Sequence, residues 1–204
     1  MLSIKQQLLS KVLSEISSIV IAVLFALWAN SWWAERQRNI EVGVLSEQIV
    51  IELQDNLDRL KKSHEHHTEQ LKLIVNYKNE HGELSEDDYI FLNDQLFKRS
   101  IFQPAELFFT YWEILIDKGL ISELSNSNLS SIKPAYKAMR RYNQDWESNS
   151  GSSILITLLA NTPKANLEIT NQSIAQLWWS EKNAIHHVEK SLDKLGFKTI
   201  STNN

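Results

Sequence analysis

Residues 16–33 read Ile-Ser-Ser-Ile-Val-Ile-Ala-Val-Leu-Phe-Ala-Leu-Trp-Ala-Asn-Ser-Trp-Trp, with no ionised side chain between Glu15 and Glu35. At about 1.5 Å per residue, this stretch as an α-helix is about 27 Å long, close to the hydrocarbon thickness of a bilayer. Inside lipid every backbone amide needs a partner within the segment, and a helix supplies it alone. Ile16, Ile19, Leu24 and Phe25 provide apolar surface, while Trp28, Trp32 and Trp33 gather at the C-terminal end. An indole is bulky and apolar with one N–H donor, so it favours the headgroup boundary. Arg36 and Arg38 follow, within reach of phosphates. A buried core helix has little reason to carry three tryptophans at one end. A cleaved signal peptide has a shorter apolar region that ends in small residues. The expected element is an uncleaved transmembrane anchor over 16–33, behind a short tail at 1–15.

The balance of positive charge across the anchor is nearly even. Lys5, Lys11 and the terminal amine stand on one side, and Arg36 and Arg38 on the other. The short N-terminal stretch is assigned to the cytoplasm. This places the rest of the chain on the periplasmic, extracytoplasmic side of an inner (plasma) membrane, as a single-pass protein. Ser14, Ser18 and Asn30 are the candidates for contact with a second membrane helix: small hydroxyl residues permit close approach, and an amide can bond across it.

Past Arg38 the chain carries no proline before Pro104, and Gly43 is its one glycine before Gly82. Val50, Leu53, Leu57, Leu60, His64, His67, Leu71 and Ile74 recur at alternating steps of three and four, a heptad seam. The anchor is therefore expected to continue into a long helix over 34–84. His64 and His67 share a helix face, a spacing that suits metal, with His186 and His187 as the natural source of further ligands. A plain polar layer in the seam is the competing account of the same histidines.

The remaining helices are expected within 85–196. Ser85 followed by Asp88 has the form of a capping signal for a helix from Glu86 to about Arg99. Pro104 suits the first turn of a helix carrying Phe108, Phe109, Trp112, Leu115 and Ile116, with Gly119 at its end. The Phe108–Trp112 region is the most aromatic of this part: core packing first, a ligand pocket second. A helix after Ser125–Asn128 tolerates Pro134 in its first turn or as a kink, and Arg140-Arg141 form a small basic patch. Ser148–Ser153 reads as a flexible link and Ile154–Ala160 as a short buried helix. Asn171 suits the cap of a last helix with a second seam, Ile174, Trp178, Glu181, Ile185, Val188, Leu192 and Leu195. Gly196 ends it, ahead of a loose tail at 197–204. Two heptad-bearing helices invite antiparallel packing. The expected class is all-α: an N-terminal transmembrane helix running into a long helix, packed with further helices as an antiparallel bundle.

Composition limits function. The net charge of −4 gives no global basic field, so no nucleic-acid partner is expected. The absence of cysteine excludes disulfides, thiolate chemistry and cysteine-held metals. No glycine-rich phosphate loop, dinucleotide fingerprint or Gly-x-Ser-x-Gly elbow occurs. Glu113 and Asp117, one turn apart, are a poor acid–base pair. No catalytic residue and no cofactor is expected. The anticipated partners are the lipid bilayer and a second copy or another membrane protein. The role that fits is an interaction or scaffold module, with a metal or small-ligand sensor as the alternative.

Ser14-Glu15-Ile16, the apolar run and Ala26-Leu27-Trp28-Ala29-Asn30-Ser31-Trp32-Trp33-Ala34-Glu35-Arg36 resemble a bacterial family of unknown function. Its members carry one N-terminal membrane helix ending in an Ala-Leu-x-x-Asn-x-Trp-x-Glu-Arg pattern. Thr110–Leu120 is similar to a second family stretch, Thr-x-Tyr-Glu-x-Leu-x-x-x-Gly, with Trp112 one place before the glutamate, and Asn128-Leu129 and Tyr136 continue it. The likeness covers residues 14–143. It implies a single-pass protein with a helical domain and no known activity. The chain departs in its short N-terminal tail and in tryptophan near position 33, where asparagine is common.

Overall fold

The computed structural model describes residues 4–150 and 162–197, with side chains described from Glu15 to Ser148 and from Thr162 onward. Among these residues the elements are helical only: α1 (Ile4–His81), α2 (Glu86–Lys98), α3 (Thr110–Asp117), a 3-10 turn (Leu120–Glu123), α4 (Asn126–Ser150) and α5 (Pro163–Lys194). The chain divides into two units, Met1–Ser46 and Glu47–Asn204. The all-α bundle with a long N-terminal helix is what the seams predict.

Helix α1 is 78 residues long. Its only glycine, Gly43, costs roughly 1 kcal/mol relative to alanine, and no proline interrupts it. The helix already includes residues 4–15, where a tail was expected, because Ile4–Glu15 contains no glycine or proline to stop it. It ends where Gly82 takes a φ of +68°, a conformation that a side chain disfavours.

The second unit is built as an up-and-down bundle. Residues 99–109 run back along α1: Ser100 meets His66, Gln103 meets Ser63 and His67, and Phe108 meets Asn56. Helix α3 continues in that direction, since the Tyr111 amide reaches Glu52. Helix α5 is antiparallel to α1, because Lys61 pairs with Glu189 while Thr68 meets Trp178. It is also antiparallel to α4, where Asp145 accepts from Ser180 while Ser130 lies beside Lys194.

The apolar core at one end joins Ile74, Leu92, Leu96, Ile101, Leu167 and Ile174, all buried. Six of the eight expected seam positions of α1 are buried, Val50 and Leu57 among them, while His64 and Leu71 are half-buried. Leu53, Leu60, His67 and Ile74 are buried as anticipated. A second row, Ile49, Asn56, Ser63 and Gln70, each one residue before Val50, Leu57, His64 and Leu71, is buried beside them and widens the inward face. Asn56 and Ser63 occupy the centre because the segment 99–109 has free backbone groups that polar side chains satisfy.

Other boundaries moved as well. Pro104 lies in the extended stretch and starts no helix; α3 begins only at Thr110. Pro134 stands inside α4, past its first turn. Ser148–Ser150 are still helical, and the rest of the expected link, with Ile154–Ala160, lies outside the described residues. The last helix starts at Thr162, whose hydroxyl accepts from the Ala165 amide, with Pro163 at the first position; Asn171 is interior. Capping at Ser85–Asp88 is reciprocal as predicted. Gly196 has a φ of +89°. Its N–H donates to Asp193 O and that of Phe197 to Leu192 O, at 3.1 and 2.9 Å, which closes α5.

Candidate functional site

The first candidate is the apolar face of α1. The helix contains an 18-residue window of mean hydropathy 1.6, none of it buried. By length and composition it is able to cross a membrane. The anchor residues Ile16, Ile19, Leu24, Phe25, Trp28, Trp32 and Trp33 are all exposed, Phe25 at 65%. A core helix would bury such side chains. Phe25 and Trp28 lie against each other, ring centroids 5.7 Å apart. The Arg36 guanidinium stands 5.6 Å from the Trp32 ring, a cation over an indole face. Ser18 and Asn30 are exposed on the same helix. The Ser14 side chain lies outside the described residues.

The second candidate is a buried polar cluster between α1 and α5. Glu181 is fully buried. Its Oε1 accepts from His67 Nδ1 at 2.8 Å and from Ser63 Oγ. The Gln103 amide approaches His67 Nε2 at 3.4 Å, which marks Nε2 as the acceptor and Nδ1 as the protonated nitrogen. His64 Nδ1 lies 3.6 Å from Glu181 Oε2, too far for a hydrogen bond, and both atoms are buried without a partner. The His64 ring stacks on Trp178 at 4.9 Å, and the Trp178 indole donates to Thr68 Oγ1. Burial favours the neutral acid at Glu181, but the imidazoles of His64 and His67 and the Ser63 hydroxyl outweigh it and hold the carboxyl below its usual range. Ser63 and His67 converge on one carboxylate oxygen, and no hydrogen bond joins the hydroxyl to an imidazole. The connectivity is that of a structural polar knot, not of an activated nucleophile.

A second knot lies further down α1. Glu52 accepts from the Tyr136 hydroxyl and the Tyr111 amide. Burial, then the Glu52 carboxylate, pushes the Tyr136 phenol far up. Burial likewise raises Tyr142, whose hydroxyl accepts from the Ala105 amide, to about 12.

The structure brings His64 and His67 together through Glu181. It places His187 elsewhere, against α4 beside Ser130, Pro134 and Lys137, and His186 is exposed next to it. The four histidines thus do not form one set. Among the described residues, no group of three histidine or carboxylate side chains is arranged to hold a metal ion. Burial first, then the nearby His186 and Lys190, lowers the His187 imidazole. Of the aromatic region, Trp112 is buried and stacks on Tyr136 at 4.8 Å. Phe108 is exposed with the Arg59 guanidinium 4.5 Å over its ring. Glu113 pairs with Arg140 across 3.4 Å.

Sequence reasoning passed over Glu52, Asn56, Ser63 and Glu181 as ligating groups. The available signal was polar side chains at heptad spacing one step from the apolar series, and a glutamate inside the second seam. No protein-family model, curated protein or solved structure matches this chain.

Proposed function

We propose that this protein is a membrane-anchored interaction module: a single-pass inner (plasma) membrane protein whose helical bundle lies on the periplasmic side and scaffolds a membrane-associated complex. The observation that carries the reading is the fully unburied apolar window of α1. Such a surface has no stable place in water, and burying it in lipid or against another membrane helix removes that cost. The tryptophan cluster with Arg36 supports a boundary position at the end of the span. The resemblance to single-pass bacterial proteins points the same way. Ser18 and Asn30 are the side chains through which a second helix would pack. No residue is assigned a catalytic role.

Crosslinking of the full chain in native membranes tests the module reading. A discrete larger species whose yield falls in Asn30→Leu supports it. Monomer alone, under conditions that crosslink known complexes, overturns it.

One observation favours the sensor reading as a second account: the partnerless His64 Nδ1 and Glu181 Oε2, 3.6 Å apart in the bundle interior. A bound ion or small polar ligand would satisfy both. Metal analysis of the purified protein, with melting curves before and after chelation, tests it. Metal-free protein with an unchanged curve removes it.

A further inference from the structure

Helix α4 places Lys133, Lys137 and Arg141 four residues apart, and hence on one face. They line a hollow of about 570 Å³ between α4 and α5, with His187 on its other side. A smaller hollow of about 150 Å³ adjoins it, sharing Ser130, Pro134 and His187 and adding Lys190 and Lys194. The lining of the two thus holds five full cations and an imidazole, with no carboxylate. Two lysines outside the groove do pair with acids, Lys61 with Glu189 and Lys98 with Asp94, on a chain whose net charge is −4. Among the described residues, no carboxylate lies within ion-pair distance of the five. Like charges spaced i, i+4 on a helix repel, and both helices carry such pairs here.

A second, independent observation concerns Ser191. It is 1% exposed, it lines the smaller hollow, and its Oγ has no hydrogen-bond partner. A buried hydroxyl without a partner is costly unless something entering the site supplies one. A third hollow on the same face shares Lys133, Lys137 and Arg141 and adds Arg140; its one carboxylate, Asp145, takes the Ser180 hydroxyl.

We infer that this groove binds a small phosphate-bearing anion. The lysines supply charge, Arg141 supplies paired planar N–H donors suited to two phosphate oxygens, and the Ser191 hydroxyl donates to the ligand at the groove floor. The larger hollow exceeds a lone phosphate, so the ligand carries its phosphate on a larger body, either a free metabolite or a lipid headgroup. An acidic peptide fits less well, because its carboxylates are spread along a chain and the cations converge. The inference is independent of the anchor and survives or fails without it.

The test uses the full chain in an uncharged maltoside detergent at fixed ionic strength, with the melting temperature and isothermal calorimetry as readouts. The probes are inorganic pyrophosphate, dihexanoylphosphatidylglycerol and hexaglutamate. Pyrophosphate or the short-chain lipid is expected to raise the melting temperature. The exposed double variant Lys137→Gln/Arg141→Gln is expected to weaken binding by about tenfold or more, and Ser191→Ala to weaken it several-fold while the ligand-free protein melts no lower. A response to the lipid alone identifies the source as a headgroup; a response to pyrophosphate identifies a free phosphate compound. Equal stabilisation by hexaglutamate, full binding retained in the double variant, or no response to either phosphate probe overturns the inference.

Discussion

Asn56 sits in the α1 seam where a heptad pattern would favour leucine, yet it is fully buried and its amide bonds both backbone groups of Phe108, at 2.8 and 2.7 Å. Asn56→Leu would leave a buried N–H and a buried C=O unpaired. It is expected to lower stability by about 2–3 kcal/mol, whereas a purely apolar seam would gain from it. Chemical denaturation of the variant decides between the two. Glu181 behaves alike: Glu181→Ala strips the buried His67 of its acceptor and should cost about 3 kcal/mol. Its carboxyl is held below the usual range, so it stabilises the fold above the carboxylate range, and that contribution is lost as pH falls through the lowered value. Glu181→Gln is expected to flatten the loss of stability on acidification, measured as denaturation midpoint against pH. A slope unchanged from the parent would contradict the assignment. Leu53, Leu60 and Ile74 were legible in the sequence because apolar spacing marks burial. Asn56, Ser63 and Gln70 were not, because their burial depends on partners 40 to 52 residues away for Ser63 and Asn56.

At the scale of elements, the capping box and the antiparallel pairing of α1 with α5 were legible, while the start of α5 and the extended run over 99–109 were not. The Ser85–Asp88 box lies within four residues and was visible as a pattern. Asp88 also accepts from the Tyr77 hydroxyl at 2.7 Å. The Ser85 hydroxyl first, then Tyr77, lower its carboxyl to about 2. This cap therefore holds at neutral pH and loosens as pH drops from about 4 toward 2. Thr162 was passed over for Asn171, although Thr-Pro is a good helix start, because Asn171 opens the apolar series more closely. Thr162→Ala is expected to cost about 1 kcal/mol and Asn171→Ala much less; thermal melts of the two variants test the assignment. The extended run after α2 escaped prediction for the same physical reason as the polar seam. Its backbone is satisfied by His66, Ser63, Asn56 and Tyr142 from other elements, and no local propensity announces that.

For the whole molecule, the decisive property is uneven distribution of apolar side chains. In the second unit a contiguous set turns inward, from Ile49 to Leu192, and the exposed ones, such as Trp179 and Phe97, are scattered. Along residues 16–33 they stay outside, the surface that the proposed anchor would bury in lipid. Carbonate extraction of membranes from cells making the full chain puts this directly to the test. The wild-type chain should remain in the pellet, and Leu24→Arg, which places a charge in the middle of the span at a cost of about 3 kcal/mol, should shift it toward the supernatant. Full-length protein recovered from the supernatant without detergent, folded and monodisperse, would contradict the account.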